Sequence, residues 1–172
     1  MACAITSGVS LGCRDNAGGV QKFYIASYSA TTYQYNSDGS VSGATGVGTG
    51  VTYYTIQQRL EQGSFQFDGT ISDANGTVFY TPTAVMTFYK YQASMRDLVY
   101  ILATGNFRVI VLDQNGKYFL MNETNYVSAT AQTVGTGKGL GDLNGSTVTI
   151  SGKEPAPSRE VSSTYFATLT VV

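Results

Sequence analysis

The chain has 172 residues, of which 42% are hydrophobic and only 12% are charged, and its ten Lys and Arg residues nearly balance eleven Asp and Glu residues. It contains no His and no Trp, and the missing His excludes Ser-His-Asp triads, imidazole acid–base catalysis and His-containing zinc sites. The basic residues are spread singly, so the sequence offers no basic patch for sequence-specific DNA binding. Soluble domains usually have about 25% charged residues, and a surface this poor in charge favours burial against other subunits.

The N-terminal segment and the two cysteines indicate the compartment in which the chain is made. Residues 1–6 lack the positively charged and apolar regions of a secretory signal, so we expect synthesis in the cytoplasm. Cys3 and Cys13 are then expected to be reduced thiols that act as small hydrophobic residues. No apolar run approaches the roughly 18 residues of a membrane-spanning helix, so no contact with a membrane is predicted.

Alternation of apolar and polar residues predicts a first strand over residues 20–28. The next stretch, residues 29–50, is long, polar and rich in glycine, and it is either a flexible loop or an extended hairpin arm. Turn-forming residues at 36–39 favour the hairpin arm. The anchors of this hairpin are predicted to be Tyr33, Tyr35 and Val41.

Aromatic-rich strands and one helix follow the glycine-rich stretch. The four predicted strands are residues 51–58, 64–71, 77–81 and 84–92. Pro82 separates the last two because proline cannot donate a ladder hydrogen bond. The helix is predicted over residues 94–104, with Ser94 as its N-cap and Gly105 as a left-handed stop.

The C-terminal half is again dominated by short strands. They are predicted over residues 107–112, 117–122, 127–134, 146–151 and 165–172. Three Asp-x-Asn-Gly tetrapeptides, starting at Asp73, Asp113 and Asp142, predict tight turns, because they lack the further carboxylates of a calcium loop. Nine or ten short strands and one helix predict a mainly β fold. We expect a single domain, an antiparallel β-sandwich or barrel with the helix on its side.

No catalytic or cofactor motif stands out in the sequence. The glycines around Lys138 are not a phosphate-binding loop, since Gly139 stands where Ser or Thr should follow, and residues 46–50 lack the third glycine of a dinucleotide fingerprint. No two of the carboxylates are marked out as a glycosidase pair. The strand aromatics suit a core or subunit contacts better than a sugar platform, which favours Trp. The sequence therefore predicts no catalytic residue, no metal site and no cofactor.

Both ends of the chain resemble a known family. The C-terminal stretch is residues 139–157, Gly-Leu-Gly-Asp-Leu-Asn-Gly-Ser-Thr-Val-Thr-Ile-Ser-Gly-Lys-Glu-Pro-Ala-Pro, and the N-terminal one combines residues 3–8, 11–15 and 18–20. Both are similar to the tail tube proteins of tailed bacteriophages that infect Bacteroidetes-type hosts. The middle of the chain, with a helix followed by a strand, an Asp-x-Asn-Gly turn and a strand, is similar to them in layout.

The resemblance implies a non-enzymatic structural protein of the virion tail. Such subunits would form hexameric rings that stack into a tube, through which DNA passes without specific binding, and other tail or connector proteins would be partners. Two alternatives stay open at this point. The first alternative is another phage structural protein, such as a head–tail connector, ring or decoration protein. The second is a carbohydrate-binding or adhesion module.

On the tail tube interpretation, residues 29–50 would be an arm that reaches the adjacent ring and becomes ordered on assembly. The predicted interface residues of this arm are Tyr33, Tyr35, Asp38, Gly39, Val41, Gly46, Gly48 and Gly50. Those predicted on the strands and the helix are Tyr53, Tyr89, Met95 and Arg96.

Overall fold

The computed structural model describes residues 8, 15–46 and 49–172, so Cys3 and Cys13 lie outside the described residues. The described chain is mainly β, with a flanking helix, as the sequence predicted. Its elements are β1 (Val20–Ser27), β2 (Thr32–Tyr35), β3 (Val41–Thr45), β4 (Thr52–Gln57), β5 (Ser64–Ser72), β6 (Thr77–Tyr89), α1 (Ala93–Thr104), β7 (Phe107–Asp113), β8 (Tyr118–Leu120), β9 (Val127–Gly135), β10 (Gly145–Gly152), β11 (Arg159–Val161), α2 (Ser163–Phe166) and β12 (Thr170–Val171). Within the described part of the chain, no helix is long and apolar enough to cross a membrane.

Strands β1 and β7 lie at the centre of the fold and are buried on both faces. They pair antiparallel along nearly their whole length. Because successive side chains of a strand point to opposite faces, Val109 of β7 packs into one core and Ile110 into another. This double burial explains why every residue from 107 to 112 is buried.

The first core, called the sandwich core, lies between β1–β7 and a four-stranded antiparallel sheet with the order β9-β10-β6-β5. Phe23 from β1, Met86 of β6 and Ile150 of β10 belong to this core, and all three side chains are fully buried. Helix α1 packs on β9 and β10 and contributes Val99 and Leu102. Each such side chain stabilises the fold by roughly 1.5–3 kcal/mol relative to an exposed one.

The second core, called the barrel core, lies on the opposite face of β1 and β7. Strands β8, β11, β3 and β2 follow β7 in the sheet and pack back over that face. Helix α2 contributes Phe166, whose ring stacks on Tyr118 with 4.0 Å between the centroids. Strand β12 pairs with β4. The buried residues of the barrel core are Tyr24, Ala26, Tyr33, Val41, Tyr53, Ile110, Leu112, Leu120 and Val161.

Strand β6 runs through Pro82 without a break, although two separate strands were predicted. Its ladder with β10 stops at the pair Thr83–Ser151 and resumes at the isolated bridge between Tyr80 and Glu154. Pro82 occupies the gap between these two pairs. Its missing N–H therefore costs no ladder hydrogen bond, which is why the strand tolerates it.

Helix α1 begins one residue earlier than predicted, and both of its ends differ from the prediction. Gln92 is the N-cap residue, and Ser94 lies inside the helix, where its hydroxyl accepts a 3.1 Å hydrogen bond from the Gln92 side chain. Gly105 has a φ of −95° and is not left-handed. A Cβ at Gly105 would overlap the ring of Phe107, so glycine is needed there for a close approach.

Two of the three Asp-x-Asn-Gly tetrapeptides form the predicted turns. Residues 73–76 join β5 to β6, and residues 113–116 lie between β7 and β8. The third differs, because Gly145 already belongs to β10 and a Cβ there would overlap the carbonyl oxygen of Phe88. Asp142 instead accepts two backbone hydrogen bonds within its own loop, each of 2.8 Å.

The strand predicted over residues 165–172 is wrong in its first part. Residues 163–166 form α2, and only Thr170–Val171 are assigned to a strand. The Phe166 ring lies against both Tyr24 and Tyr118, with centroid distances of 4.7 and 4.0 Å. Packing onto these distant rings overrides the local alternation that predicted a strand.

Candidate assembly surface

The hairpin of β5 and β6 extends beyond the sandwich core. The register places Phe67 opposite Pro82 and Ile71 opposite Val78, on the same sheet face as the buried Ala84. This apolar face runs past the core that covers it, so Phe67, Ile71 and Val78 are 44%, 73% and 50% exposed. We call these three residues the projecting stripe. Adjoining exposed apolar residues of this kind are typical of a contact with another molecule.

The outer edge of β5 is open. Its nine residues pair with β6 on one side, and no strand of the described chain lies on the other. Proteins usually protect such edges with Lys, Pro or bulges, whereas β5 carries one acidic residue, Asp68, and pairs with β6 in an unbroken register. The strand is therefore a ready template for a strand of another molecule.

The hydrogen bonds of Tyr80 show which amides of β5 face the open edge. Tyr80 exchanges two 2.8 Å backbone hydrogen bonds with Glu154, on the side of β6 away from β5. Gly69, directly opposite Tyr80 on β5, therefore belongs to a non-hydrogen-bonded pair, and its N–H points outward. The amides of Phe67 and Ile71, two residues away on either side, also point outward.

The four-stranded sheet has a second open edge on β9. This strand pairs with β10 along its length but with β7 only through Val127 and Phe107. Residues 128–135 have no strand partner on that side among the described residues, and residues 130–135 are all exposed. Open edges thus lie at opposite ends of the same sheet, on β5 and on β9.

The outward face of this sheet is lined by hydroxyl groups and is nearly uncharged. Asp68 is the single charged residue in the four strands. Thr83, Thr149 and Ser151 share the outward face by register, and the hydroxyls of Thr83 and Ser151 lie 3.3 Å apart. The strands themselves carry no cation, but Lys153, just after β10, reaches this face, with its ammonium 5.2 Å from the ring centroid of Phe79. One lysine gives the face little capacity to neutralise phosphate groups.

The hairpin predicted within residues 29–50 is present as β2 and β3, but it lies against the barrel core. Tyr33 is 9% exposed and Val41 is fully buried, and Val41 also pairs with Val161 of β11. Tyr53 on β4 is 4% exposed. These three side chains pack within the chain itself, so they are not available to a neighbouring subunit, contrary to the prediction.

The other residues predicted for the arm lie near the surface. Tyr35 is 45% exposed and donates a hydrogen bond to Glu123, and burial together with this bond raises the pKa of Tyr35 to about 12. Asp38 lies in the turn of the hairpin, where its carboxylate accepts hydrogen bonds from Ser40. The glycines of this group have positive φ angles of 84°, 108° and 83° at Gly39, Gly46 and Gly50. Gly48 lies outside the described residues.

The residues predicted on the helix and the strands are not brought together into one surface with the arm. Met95 is half-buried against the sandwich core, and Arg96 is exposed beside Asp97. The half-buried Tyr89 lies beneath the guanidinium of Arg59, 4.2 Å from its ring centroid. A role for these residues at a subunit interface stays a prediction.

The projecting stripe was missed because residues 64–81 look like ordinary sheet strands. Phe65, Phe67 and Ile71 alternate with polar residues in the same way as residues that face a core. The available signal was the length of the hairpin, since two long strands joined by four residues present more apolar face than a small core covers.

Comparison of the chain with protein-family models, with curated proteins and with solved structures gave no match. Among the described residues, no group of three or more Cys, Asp or Glu side chains is arranged to hold a metal ion. The open edges, the projecting stripe and the hydroxyl-lined face are therefore the features that bear on function.

Proposed function

We propose that the chain is a non-enzymatic structural subunit that assembles with copies of itself through its four-stranded sheet. In this arrangement the open edge of β5 pairs with the open edge of β9 in the next copy. The observation that carries the proposal is the presence of both edges at opposite ends of one sheet whose outward face is almost uncharged.

Strand direction supports this head-to-tail pairing. Three antiparallel pairings separate β9 from β5, so the two edge strands run in opposite directions. A second copy related by rotation about an axis along the strands keeps these directions, and its β9 meets β5 as an antiparallel partner. Antiparallel pairs are slightly more stable than parallel ones. A head-to-tail contact between different edges generates a ring when the rotation closes.

The sheet face and the family resemblance together favour a tail tube subunit. A ring built in this way has a continuous sheet, and a face of hydroxyl groups with few charges suits a conduit through which DNA passes without being held. The projecting stripe then has a neighbouring subunit to cover it. We propose hexameric rings stacked into a tube in the virion tail, with the hexamer taken from the resemblance.

A proline in the open edge tests the pairing directly. Ile71→Pro removes an outward N–H from β5 but no hydrogen bond to β6, and we expect this variant to stay monomeric. Ile71→Val keeps the N–H and should assemble like the unmodified protein. Light scattering and negative-stain microscopy at high concentration provide the readout. An unmodified chain that forms no oligomer, or an Ile71→Pro variant that still forms rings, would contradict the proposal.

Mixing distinguishes head-to-tail rings from a two-fold dimer in which two β5 edges pair. An Ile71→Pro subunit retains its β9 edge, so in the head-to-tail arrangement it binds one neighbour through β9. Its blocked β5 edge then prevents the addition of another subunit to the incomplete ring. Substoichiometric Ile71→Pro protein should therefore prevent ring closure. In a two-fold dimer the variant would stay apart and leave the unmodified dimers unchanged, and that result would exclude the ring.

A further inference from the structure

The barrel core contains a buried cation without a carboxylate partner. Arg108 on β7 is 3% exposed, and none of the salt bridges of the described residues involves it. The remaining residues, 1–7, 9–14 and 47–48, contain no Asp or Glu, so they supply no carboxylate either. Buried charges in proteins are normally paired, and an unpaired guanidinium at this depth requires an explanation.

The chain satisfies only part of the hydrogen-bonding capacity of Arg108. One terminal nitrogen donates to the Tyr33 hydroxyl and the other donates to the Ser29 carbonyl at 3.1 Å. The rings of Tyr28 and Tyr33 lie 5.3 and 5.1 Å from the guanidinium carbon and stabilise the cation through their π faces. The Nε–H group is buried and has no partner among the described residues. A guanidinium has five N–H donors, and the chain uses only two of them.

Arg108 lines a cavity of about 180 Å³ whose wall is rich in hydroxyl groups. The hydroxyl-bearing residues of this wall include Thr31, Tyr33, Thr49, Tyr53, Tyr165 and Thr168. Burial raises the pKa of Tyr53 to about 12 and also raises that of Tyr165, so both phenols stay protonated and can donate. Tyr33 accepts from Arg108 and therefore has its own proton free to donate. Thr31, Thr49 and Thr168 already donate their hydroxyl protons to backbone carbonyl oxygens. One cation and three phenol O–H groups are therefore the donors that line this space.

We infer that this cavity is a binding site for a small oxyanion, carried by a phosphate or a carboxylate group. The planar guanidinium matches the geometry of both groups, and the phenols supply further donors. The volume lies below the roughly 300–1,000 Å³ of pockets for drug-sized ligands, which limits the ligand to an ion such as phosphate or acetate. This inference is independent of the proposed assembly.

The free Nε–H group of Arg108 is the most direct reporter of binding. In a ¹⁵N-labelled sample its resonance should shift in a saturable manner during titration with inorganic phosphate or acetate, each replacing chloride at constant ionic strength. At a hundredfold excess over the Kd, the Tm should rise by about 5–10 °C. A response to phosphate alone identifies a tetrahedral site, and a response to acetate identifies a carboxylate site. No saturable shift with either ion up to about 50 mM, where even millimolar affinity would saturate, would overturn the inference.

Three variants separate specific binding from general salt effects. Arg108→Met removes the charge at similar length and with it the Nε–H reporter, so its readout is the Tm, which should no longer rise with phosphate or acetate. Tyr53→Phe keeps the ring and should weaken binding about fivefold to tenfold by removing one donor, which gives a test even if Arg108→Met fails to fold. Arg59→Met removes an exposed cation that also lies over a tyrosine ring and should leave the Kd unchanged. Equal affinities in Tyr53→Phe and the unmodified protein, or equal losses in Arg59→Met and Tyr53→Phe, would contradict the site.

Discussion

The hairpin β2–β3 packs against the rest of the molecule, whereas the hairpin β5–β6 projects from it. The first is short, polar and rich in glycine, yet Tyr33 and Val41 bury it against the barrel core. The second is long and aromatic, yet its outer half leaves Phe67 and Ile71 exposed. The difference shows that composition does not decide whether a hairpin projects. What decides it is whether distant strands present an apolar surface that can cover it.

The two hairpins therefore contribute differently to the free energy of folding. A fully buried apolar side chain such as Val41 contributes roughly 1.5–3 kcal/mol relative to an exposed one. Half-exposed residues of the projecting stripe, such as Val78, contribute much less to the isolated chain. Their exposed apolar area can still be buried in a contact with another molecule, where it would contribute to the free energy of association.

Deleting the hairpin β2–β3, here called the docked hairpin, should disturb the protein most. Removal of residues 31–50 takes Tyr33 and Val41 out of the barrel core and leaves Arg108 with less of its hydrogen bonding. We expect the variant to lose its folded state, as measured by circular dichroism and the dispersion of amide resonances. If residues 29–50 were a free arm, the deletion would leave a native spectrum and a cooperative melting transition, and that outcome would contradict the packing of β2–β3 on the barrel core.

A matched pair of substitutions measures the difference between the hairpins at single residues. Val41→Ala should lower the free energy of unfolding by about 2–3 kcal/mol, because it removes two methyl groups from a fully buried site and leaves a cavity. Val78→Ala is the same chemical change at a residue that is 50% exposed, and it should cost less than about 0.5 kcal/mol. Urea denaturation of the two variants checks this, and similar losses in both would show that the hairpins do not differ.

The projecting stripe should matter for association instead of stability. Phe67→Ser should weaken self-association at least about tenfold, as expected for a large apolar residue in a contact, and change the Tm by no more than about 2 °C. Gln66→Ser, on the opposite face of the same strand, is the control and should affect association less. Sedimentation equilibrium provides the measurement. Equal effects of the two substitutions would exclude the stripe as a contact.

A smaller, local effect is expected in the turn of the docked hairpin, where the pKa of Asp38 can be measured. Hydrogen bonds from the side chain and backbone of Ser40 lower the pKa of Asp38. A depressed pKa in the folded state means that the carboxylate stabilises the turn above its unfolded pKa of about 3.9 and loses this contribution as the pH falls through the folded value. Carboxyl ¹³C resonances should show Asp38 titrating below about 3.9. Titration at or above that value would show that the Ser40 contacts do not form in solution.

Much of the strand pattern followed from the sequence, because local alternation and turn residues determine it. The turn residues at 36–39 predicted the β2–β3 hairpin, and residues 113–116 predicted another turn correctly. The burial of β2–β3 was not predictable, because it depends on Val161, far along the chain. The continuity of β6 through Pro82 likewise depends on the spacing of a partner strand.

The candidate site was predicted less well than the fold. The low charge directed attention to contacts between subunits, which stays a hypothesis, and most of the residues chosen for them lay in the glycine-rich segment. The open edges depend on the strand order of the whole sheet, which no local pattern reveals. Arg108 lies within an apolar strand, and its lack of a carboxylate partner becomes visible only when the surrounding strands are in place.

Strands β1 and β7 are a wall shared by the two cores, and this has a consequence for local unfolding. Opening either compartment exposes one face of the same two strands, so neither core can lose its structure without exposing residues that also support the other. Amide hydrogens of β1 and β7 should therefore exchange with solvent only through global opening, as one protected unit. The outer half of the β5–β6 hairpin lies outside this unit and should exchange first, so that its protection upon association would map the contact onto the sequence.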